Sequence, residues 1–360
     1  MHVHRRRMSA SGPRGHEAPH PWYEPRMVVR SRAPLRLSFA GGGTDVAPFP
    51  ETEGGAVLSA TIDRYAYGSL TPRTDQRISV HSLDLGMSLD FDARAEPSFD
   101  GRLDLVKAAI RRLGGDSSGF DLLLRSSAPP GSGLGSSSTM LVALVGLLRE
   151  HHRLPLTDYE VAELAYQAER VDLRIRGGHQ DHYAATFGGF NFIEFGERVI
   201  VNPLRVKDSV VDELQLNLLL CWTGTTRQSA RIIEDQTARL TGGELETLAG
   251  LRAQKELAVA MKSALLRGEL SEFGSLLGEA WKQKKRMSPL IATDVIEEAY
   301  DVAMRAGALG GKVTGAGGGG YILFYCDFAR KHRLAEALTR MGGVVTDVAF
   351  ERRGLTTWRA

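Results

Sequence analysis

One glycine-rich stretch has the residue types and the spacing of a phosphate-binding loop. Residues 129–139 place glycines at alternate positions between two prolines and a run of hydroxyl residues, and the apolar segment Met140 to Leu148 follows directly. Glycine lets backbone N–H groups turn toward a ligand, and the first turn of a helix leaves N–H groups unpaired beside the positive end of its dipole. Because the alternating residues Phe120 to Arg125 predict a strand before the loop, we expect the order strand, phosphate-binding loop, helix.

Two well-known phosphate motifs do not fit this loop. A Walker-type loop requires a lysine directly after its last glycine, where this chain has Ser136. A dinucleotide fingerprint requires two residues between its second and third glycines, whereas Gly133 and Gly135 are separated by one. The other alternative is a flexible Gly/Ser linker, which is a poor interpretation because two prolines precede the stretch and nine apolar residues follow it.

A second glycine stretch follows the first predicted strand. The residues from Val28 to Ala40 alternate as a strand and lead into three glycines, Thr44 and Asp45. Consecutive glycines allow a ligand to approach the backbone closely, and the carboxylate of Asp45 could accept hydrogen bonds from sugar hydroxyls. A turn-forming aspartate without a binding role explains the same residues equally well.

The composition is that of an ordinary globular protein with two lobes. The chain has 360 residues, of which 42% are hydrophobic and 24% charged, and its 45 basic and 43 acidic residues give a net charge of +2. We therefore expect no nucleic acid or membrane partner, and no apolar run approaches the roughly 20 residues of a membrane span. Cys221 and Cys326 lie in apolar runs, which favours buried thiols and a cytoplasmic location. Residues 1–26 contain almost no aliphatic side chains and are predicted to be a disordered tail.

The remaining pattern predicts a mixed α/β lobe up to about Leu204 and a largely helical lobe after it. Thr157 and Glu160 form a capping box that predicts a helix start, whereas residues 177–183 are interpreted as a polar loop. A third glycine stretch, residues 310–320, enters a predicted strand from Tyr321 to Tyr325.

Three segments in this order resemble the GHMP small-molecule kinases: Ala33 to Asp45, Pro129 to Ser138 and Lys312 to Gly320. The resemblance extends from Val28 to about Phe350. It implies a two-lobed α+β GHMP kinase fold, with a ribosomal-protein-S5-like ATP-binding domain over residues 27–204 and a ferredoxin-like domain over residues 205–360. It also implies ATP, Mg²⁺ and a small-molecule sugar phosphate as ligands, and it leaves a homodimer open. Within the superfamily the first segment is most similar to the heptose 7-phosphate kinases, which phosphorylate the anomeric oxygen of the sugar.

The resemblance also implies roles for individual residues. Asp181 matches the catalytic aspartate, which accepts the proton of the sugar hydroxyl, and Arg36 matches a basic residue that stabilises the transferring phosphoryl group. Ser137 and Glu169 match the positions that hold magnesium. The nucleotide loop comprises Pro130, Gly131, Ser132, Gly133, Leu134, Gly135, Ser136, Ser137 and Ser138. The acceptor side comprises Gly43, Thr44, Asp45, His179, Gln180 and Gly318.

Two features bear on which acceptor binds. Galactokinases carry a Glu-His pair where this chain has Gly42 and Gly43, so galactose is not expected and a larger sugar has room. A sugar phosphate needs cations, and we rank Arg227, Lys282 and Lys285 as candidates. The lysines fit a solvated helix face as well.

Several alternatives remain open at this point. His179, Asp181 and His182 could be read as zinc ligands, although no further well-spaced His or Cys accompanies them. Within the enzyme class, a kinase for fucose, a hexose phosphate or an octose is possible. A catalytically silent relative that uses the same cleft for binding is the alternative outside that class.

Overall fold

The structure is a computed structural model that describes residues 27–114, 118–226 and 229–360, and it has two α+β lobes. The predicted tail, residues 1–26, and the candidate anchor Arg227 lie outside the described residues. No helix in the described part of the chain is long and apolar enough to cross a membrane.

The described residues form twelve strands and eleven helices. The strands are β1 (Val29–Ala40), β2 (Gly55–Pro72), β3 (Arg77–Ser82), β4 (Met87–Asp92), β5 (Phe120–Ser126), β6 (Phe190–Phe195), β7 (Ile200–Pro203), β8 (Leu218–Trp222), β9 (Ala308–Val313), β10 (Tyr321–Cys326), β11 (Val344–Asp347) and β12 (Thr356–Arg359). The helices are α1 (Phe49–Glu53), α2 (Asp104–Leu113), α3 (Ser136–His152), α4 (Asp158–Gln167), α5 (Gln180–Phe187), α6 (Asp208–Asn217), α7 (Ser229–Thr241), α8 (Leu245–Arg267), α9 (Leu270–Lys285), α10 (Asp294–Arg305) and α11 (Phe328–Arg340). A π-helical turn, Ala168–Asp172, continues α4.

The first lobe is built around the long strand β2. Its first half pairs antiparallel with β6 and its second half with β5, while β1 pairs along most of its length. The path β12-β1-β2-β5-β3-β4 runs across this sheet, and the pair β3 and β5 is parallel. The sequence predicts two runs, Ala56 to Ile62 and Ala66 to Thr71, but they form one strand because both halves pair continuously with neighbours.

Helix α3 packs in the core of this lobe, as the apolar run Met140 to Leu148 predicts. Eleven of its residues are buried, which explains why its sequence lacks the alternation of an amphipathic surface helix. The predicted capping box is confirmed: Thr157 Oγ1 accepts from Glu160 N, and the Glu160 carboxylate accepts from Thr157 N.

The second lobe has a four-stranded antiparallel sheet in the order β11-β8-β10-β9. Its core includes Trp281, Phe324 and Leu334, all almost fully buried. Cys221 and Cys326 are buried free thiols in the same sheet. The sequence predicts a strand from Val344 to Phe350, but β11 ends at Asp347.

The end of the chain returns to the first lobe. Strand β12 pairs antiparallel with β1, from Val29 opposite Arg359 to Arg32 opposite Thr356. Leu355 packs against α3 at Gly146. The contact is so close that a Cβ at Gly146 would lie 2.5 Å from Leu355 Cδ2. The first sheet therefore contains residues from both ends of the described chain.

The two lobes touch through their glycine loops. A Cβ at Gly315 would lie 2.7 Å from the Cα of Gly133, so these two segments pack backbone against backbone. Tyr321 N donates to Ser132 O at 3.0 Å, which ties β10 to the loop before α3. This contact fixes the position of the second lobe relative to the start of α3.

Because Leu355 packs on α3, we predict that Leu355→Ala lowers the free energy of unfolding by about 1–3 kcal/mol, less than for a fully buried leucine. Chemical denaturation of the purified protein measures the change. Leu245→Ala is the matched control, since Leu245 is 80% exposed and should change stability little. Equal changes in the free energy of unfolding for the two substitutions would contradict a structural role for the packing of Leu355 on α3.

Candidate active site

The cleft between the lobes is a cavity of about 490 Å³ that the three glycine stretches border. The starts of α3, α5 and α7 and the end of α9 also line it. Thirteen of the residues predicted from the sequence to form the site line this cavity: Arg36, Gly43, Asp45, Pro130, Gly131, Gly133, Gly135, Ser136, Ser137, Ser138, Glu169, Gln180 and Asp181.

An ion pair between buried Arg36 and half-buried Asp181 lies in the cleft. Arg36 is 3% exposed, its Nε donates to Asp181 Oδ1 at 2.7 Å, and its Nη2 lies 2.6 Å from the same oxygen. Nη1 of Arg36 donates to the carbonyl oxygen of Gly133 at 2.6 Å and to that of Thr314 at 3.3 Å. One guanidinium therefore joins β1, the loop before α3, the third glycine stretch and α5.

Asp181 stands in the first turn of α5, and this corrects the prediction of a polar loop over residues 177–183. The helix begins at Gln180. The sequence predicts a loop there because polar residues predominate in this short segment. A carboxylate in the first turn is stabilised by the helix dipole. Gly135 leaves room for it: its φ is +78°, and a Cβ there would lie 3.1 Å from Asp181 Cγ.

Asp45 joins the second glycine stretch to α5. Its Oδ1 accepts from Gly43 N at 3.1 Å, and its Oδ2 accepts from Gln180 N at 3.0 Å. The second bond satisfies an N–H group at the start of α5 that has no acceptor within the helix. Gly178 must lack a side chain, because a Cβ there would lie 2.0 Å from Asp45 Oδ2. Asp45 is thus both a turn residue and part of the cavity wall.

The glycine loop before α3 has the backbone that the sequence predicts. Gly131, Gly133 and Gly135 have φ values of +76°, +83° and +78°, which other residues adopt only with strain. The first helical turn, residues 136–138, faces the cavity, and among the described residues no side chain caps it. Its N–H groups are therefore available to an anion.

Glu169 is a buried carboxylate in the π-helical turn. Its Oε2 accepts from Ser138 Oγ at 2.6 Å, lies 2.8 Å from His182 Nε2, and lies 3.2 Å from Arg170 Nη2. Burial raises the pKa of Glu169, but the charge of Arg170 and the hydrogen bonds outweigh burial and lower the pKa to about 2. The group is ionised at neutral pH. Ser137 and Ser138 both line the cavity, and Ser138 also donates to Glu169.

Two buried lysines, Lys284 and Lys312, line the cleft. Lys312 is 2% exposed, and its Nζ donates to the carbonyl oxygens of Ser38 at 2.6 Å and Val313 at 3.0 Å. Burial and the charges of Lys284 and Arg36 lower the pKa of Lys312 well below its ordinary value. Burial likewise lowers the pKa of Lys284 to about 8, against the opposing charge of Asp45.

Several residues predicted for the site do not line the cavity. Thr44 is fully buried, and its Oγ1 donates to Gly41 O at 2.8 Å. The His179 ring stacks on Tyr166 with centroids 3.7 Å apart, and the Gly318 N–H donates to Ile291 O at 2.7 Å. In the nucleotide loop, Ser132 and Leu134 are buried behind the cavity wall, the latter in the hydrophobic core.

The ranking of Lys282 and Lys285 as anchors is corrected by their positions on α9. Lys282 pairs with Glu279 at 3.2 Å and Lys285 pairs with Glu297 at 3.0 Å, both outside the cleft. Lys284 occupies the buried face instead, in register with Leu277, Ala280 and Trp281. Helical periodicity could have identified it, because positions i, i+3, i+4 and i+7 share a face.

Other lining residues were missed by the sequence reasoning. Ser38 follows Arg36 by two positions on β1, so the strand period places it on the same face. No pattern in the neighbouring sequence identifies Arg170 or Gln236 as cavity-lining residues. The zinc interpretation gains no support, since the described residues contain no group of three or more His, Cys, Asp or Glu side chains arranged to hold a metal.

Known proteins resemble the chain over nearly its whole length. The profile of the GHMP kinases N terminal domain matches residues 104–189, and the GHMP kinases C terminal profile matches residues 261–343. A D-glycero-alpha-D-manno-heptose 7-phosphate kinase from Campylobacter jejuni is 40% identical over 338 residues, which are 92% of this chain and 99% of that relative.

Solved structures agree with this similarity. The crystal structure of a D-glycero-D-manno-heptose 1-phosphate kinase from Bacteroides thetaiotaomicron matches with a TM-score of 0.78 and 38% identity, covering 92% of this chain and 99% of that one. The Lactococcus lactis galactokinase complexed with galactose matches with a TM-score of 0.72 and 21% identity, covering 91% and 95%. At that identity the second likeness shows the fold alone.

The contact between Gly135 and Asp181 yields a prediction. Gly135→Ala should displace the carboxylate and lower turnover by about ten- to a hundredfold, because small errors in the position of reacting groups are costly. Gly243→Ala is the matched control: Gly243 has a φ of +79° and nothing within 4 Å of a Cβ. Both variants should lose about 1–2 kcal/mol of stability, but only the first should lose turnover. Equal turnover in the two variants would contradict the contact.

Proposed function

The chain belongs to the GHMP kinase family, and from that premise we propose that it transfers the γ-phosphoryl group of ATP to the anomeric hydroxyl of D-glycero-D-manno-heptose 7-phosphate, giving the 1,7-bisphosphate and ADP. The observation that carries the proposal is the position of Asp181: a buried arginine holds its carboxylate in the cleft beside the glycine loop. The heptose acceptor is supported by the 40% identity to the Campylobacter heptose 7-phosphate kinase.

Asp181 acts on the acceptor. The anomeric hydroxyl lies against its carboxylate, which orients the hydroxyl oxygen and accepts its proton as the bond from that oxygen to the γ-phosphorus forms. The bond between the γ-phosphorus and the bridging oxygen breaks, and ADP leaves with the electron pair. The Arg36 guanidinium orients the carboxylate and offers positive charge to the oxygens of the transferring group.

The glycine loop and the start of α3 hold the triphosphate. The positive φ angles turn backbone N–H groups into the cleft, and the uncapped first turn of α3 adds the positive end of its dipole. A loop without lysine can cradle phosphates by its backbone alone. Buried Lys312 lines the cavity from the opposite lobe.

The oxygen ligands that the cavity offers fit magnesium. The carboxylate of Glu169 is ionised and the hydroxyl of Ser137 shares the cavity wall with it, and Mg²⁺ prefers one or two such ligands together with phosphate oxygens and water. When bound, the ion would neutralise charge on the phosphates. The chain's own contribution is to hold Glu169 rigidly through Ser138, His182 and Arg170.

The acceptor side leaves little room for a side chain at Gly43. A Cβ there would lie 2.4 Å from Met287 Cε, so this wall is formed by backbone and not by the His of galactokinases. Met287 therefore occupies space at Gly43 that the sequence predicts to be open for a larger sugar. The missing Glu-His pair still supports a different sugar from galactose. Buried free thiols support a cytoplasmic location, and a homodimer stays a prediction.

The metal assignment predicts a change in magnesium dependence. Ser137→Ala and Glu169→Gln should raise the magnesium concentration needed for half-maximal rate, because each removes or neutralises an oxygen ligand. A magnesium titration at fixed ATP measures this. Glu163→Gln is the control, since Glu163 bonds Gln167 and Tyr183 away from the cavity lining. Unchanged titrations for both site variants would remove these residues from the metal site.

A panel of acceptors tests the proposed reaction. ADP release should be fastest with D-glycero-D-manno-heptose 7-phosphate, and ³¹P NMR of the product should show a new phosphate on the anomeric carbon. The comparison acceptors are free heptose, heptose 1-phosphate, fucose and a hexose 6-phosphate. Faster turnover of any comparison acceptor, or phosphate on another carbon, would contradict the heptose 7-phosphate assignment.

A further inference from the structure

A short segment without helix or strand connects Glu169 to Asp181. The π-helical turn that contains Glu169 ends at Asp172, and α5, which bears Asp181, begins at Gln180. Between them, residues 175–178 form part of the cavity wall. The path of this segment therefore affects where the second carboxylate lies relative to the first.

The side chain of Arg170 lies against this segment. Its Nη1 donates to Ile175 O and its Nε donates to Gly178 O, both at 3.4 Å. Gly177 packs on the guanidinium itself, since a Cβ there would lie 2.3 Å from Arg170 Cζ and 2.4 Å from Nη2. One planar group thus contacts three residues of the segment.

The same guanidinium also contacts the side of the cleft proposed to hold magnesium. Its Nη2 donates to Ser138 Oγ at 3.3 Å and lies 3.2 Å from Glu169 Oε2, and the Arg170 side chain is 11% exposed. Arginine suits such a position because its five N–H donors lie in one plane, whereas a lysine ammonium is a compact point charge. Arg170 therefore joins the start of α3 and the Glu169 carboxylate to the segment before α5.

Backbone hydrogen bonds hold the two ends of the segment. Ile175 N donates to Glu169 O at 3.1 Å, and His179 N donates to Asp45 O at 3.3 Å. The guanidinium of Arg170 lies against the residues between these two bonds. The wall of the cleft at residues 175–178 thus depends on one side chain in addition to its own backbone.

We propose that Arg170 is a positioning residue for phosphoryl transfer: its guanidinium holds residues 175–178 in place and so sets the spacing between the carboxylates of Glu169 and Asp181. This inference rests on the proposed function, in which the first carboxylate holds magnesium and the second accepts the proton. A displacement of about 1 Å between reacting groups can lower the rate about a hundredfold. The role requires no contact between Arg170 and either substrate.

Two substitutions disturb this contact from opposite sides. Arg170→Lys keeps the positive charge but lacks the planar set of donors, whereas Gly177→Ala places a methyl group against the guanidinium and leaves Arg170 itself unchanged. Gly177 is not one of the glycines with a positive φ, so alanine fits its backbone, and the clash falls on the end of a flexible side chain. Both variants should lower kcat by about ten- to a hundredfold and leave KM for ATP and for the acceptor within about threefold.

Each substitution has a matched control. Arg174→Lys changes an exposed arginine of the same segment that does not line the cavity, and Gly196→Ala adds a methyl group with nothing within 4 Å. Both controls should keep the parent kcat. Thermal melts monitor folding of all four variants, and Gly177→Ala decides the outcome if Arg170→Lys fails to fold.

Hydrogen exchange of the ligand-free protein gives a second readout that needs neither metal nor substrate. The N–H groups of Ile175 and His179 are hydrogen-bonded in the parent, so a segment that is no longer held should exchange faster. A peptide spanning residues 173–182 should exchange at least about fivefold faster in both site variants and at the parent rate in both controls. Peptides from α8 should be unchanged in all four.

The kinetic and exchange results decide together. A parent-like kcat in both site variants, or a lower kcat without faster exchange of the segment, would overturn the positioning role. A raised KM for ATP with unchanged exchange would make Arg170 a direct phosphate ligand and would overturn it as well. The kinetics use the acceptor that the parent turns over fastest, so a preference for a different sugar contradicts the proposed acceptor but leaves the test of Arg170 intact.

Discussion

The structure depends on one ion pair, that of the buried Arg36 with the half-buried Asp181. Removing a guanidinium from water is unfavourable by several kcal/mol unless its donors are satisfied, and here a carboxylate and two carbonyl oxygens satisfy them. Because those acceptors belong to α5, the loop before α3 and the third glycine stretch, the arginine holds three separate segments at fixed distances. The same contacts that stabilise the charge therefore position the carboxylate that we propose as the catalytic group.

The glycines of the cleft follow from this close packing. Gly133 and Gly315 meet backbone to backbone, and Gly135 lies against the Asp181 carboxylate. A side chain at any of the three would separate the lobes or displace the carboxylate. Gly133 and Gly135 also have a left-handed backbone conformation, which glycine adopts without strain.

Much of this architecture could be predicted from the sequence, because local signals carried it. The strand–loop–helix order around residues 129–139, the capping box at Thr157 and the two-lobed α+β GHMP kinase fold are confirmed. The start of α5 could not be read locally, since its first N–H is satisfied by Asp45, which lies 135 positions earlier. Lys284 was overlooked beside Lys282 and Lys285 because charge was weighed before helical periodicity, and β12 was missed because its partner is at the other end of the chain.

A double-mutant cycle in turnover tests most directly whether Arg36 and Asp181 act as one unit. Arg36→Met, Asp181→Asn and the double variant are compared with the parent for kcat/KM of the acceptor, with thermal melts as the check on folding. If the pair works as a unit, the double variant should be no slower than Asp181→Asn alone within about threefold, which corresponds to a strong coupling between the two sites. Losses that multiply in the double variant would show that the two residues contribute independently, and would contradict the central place given to the ion pair.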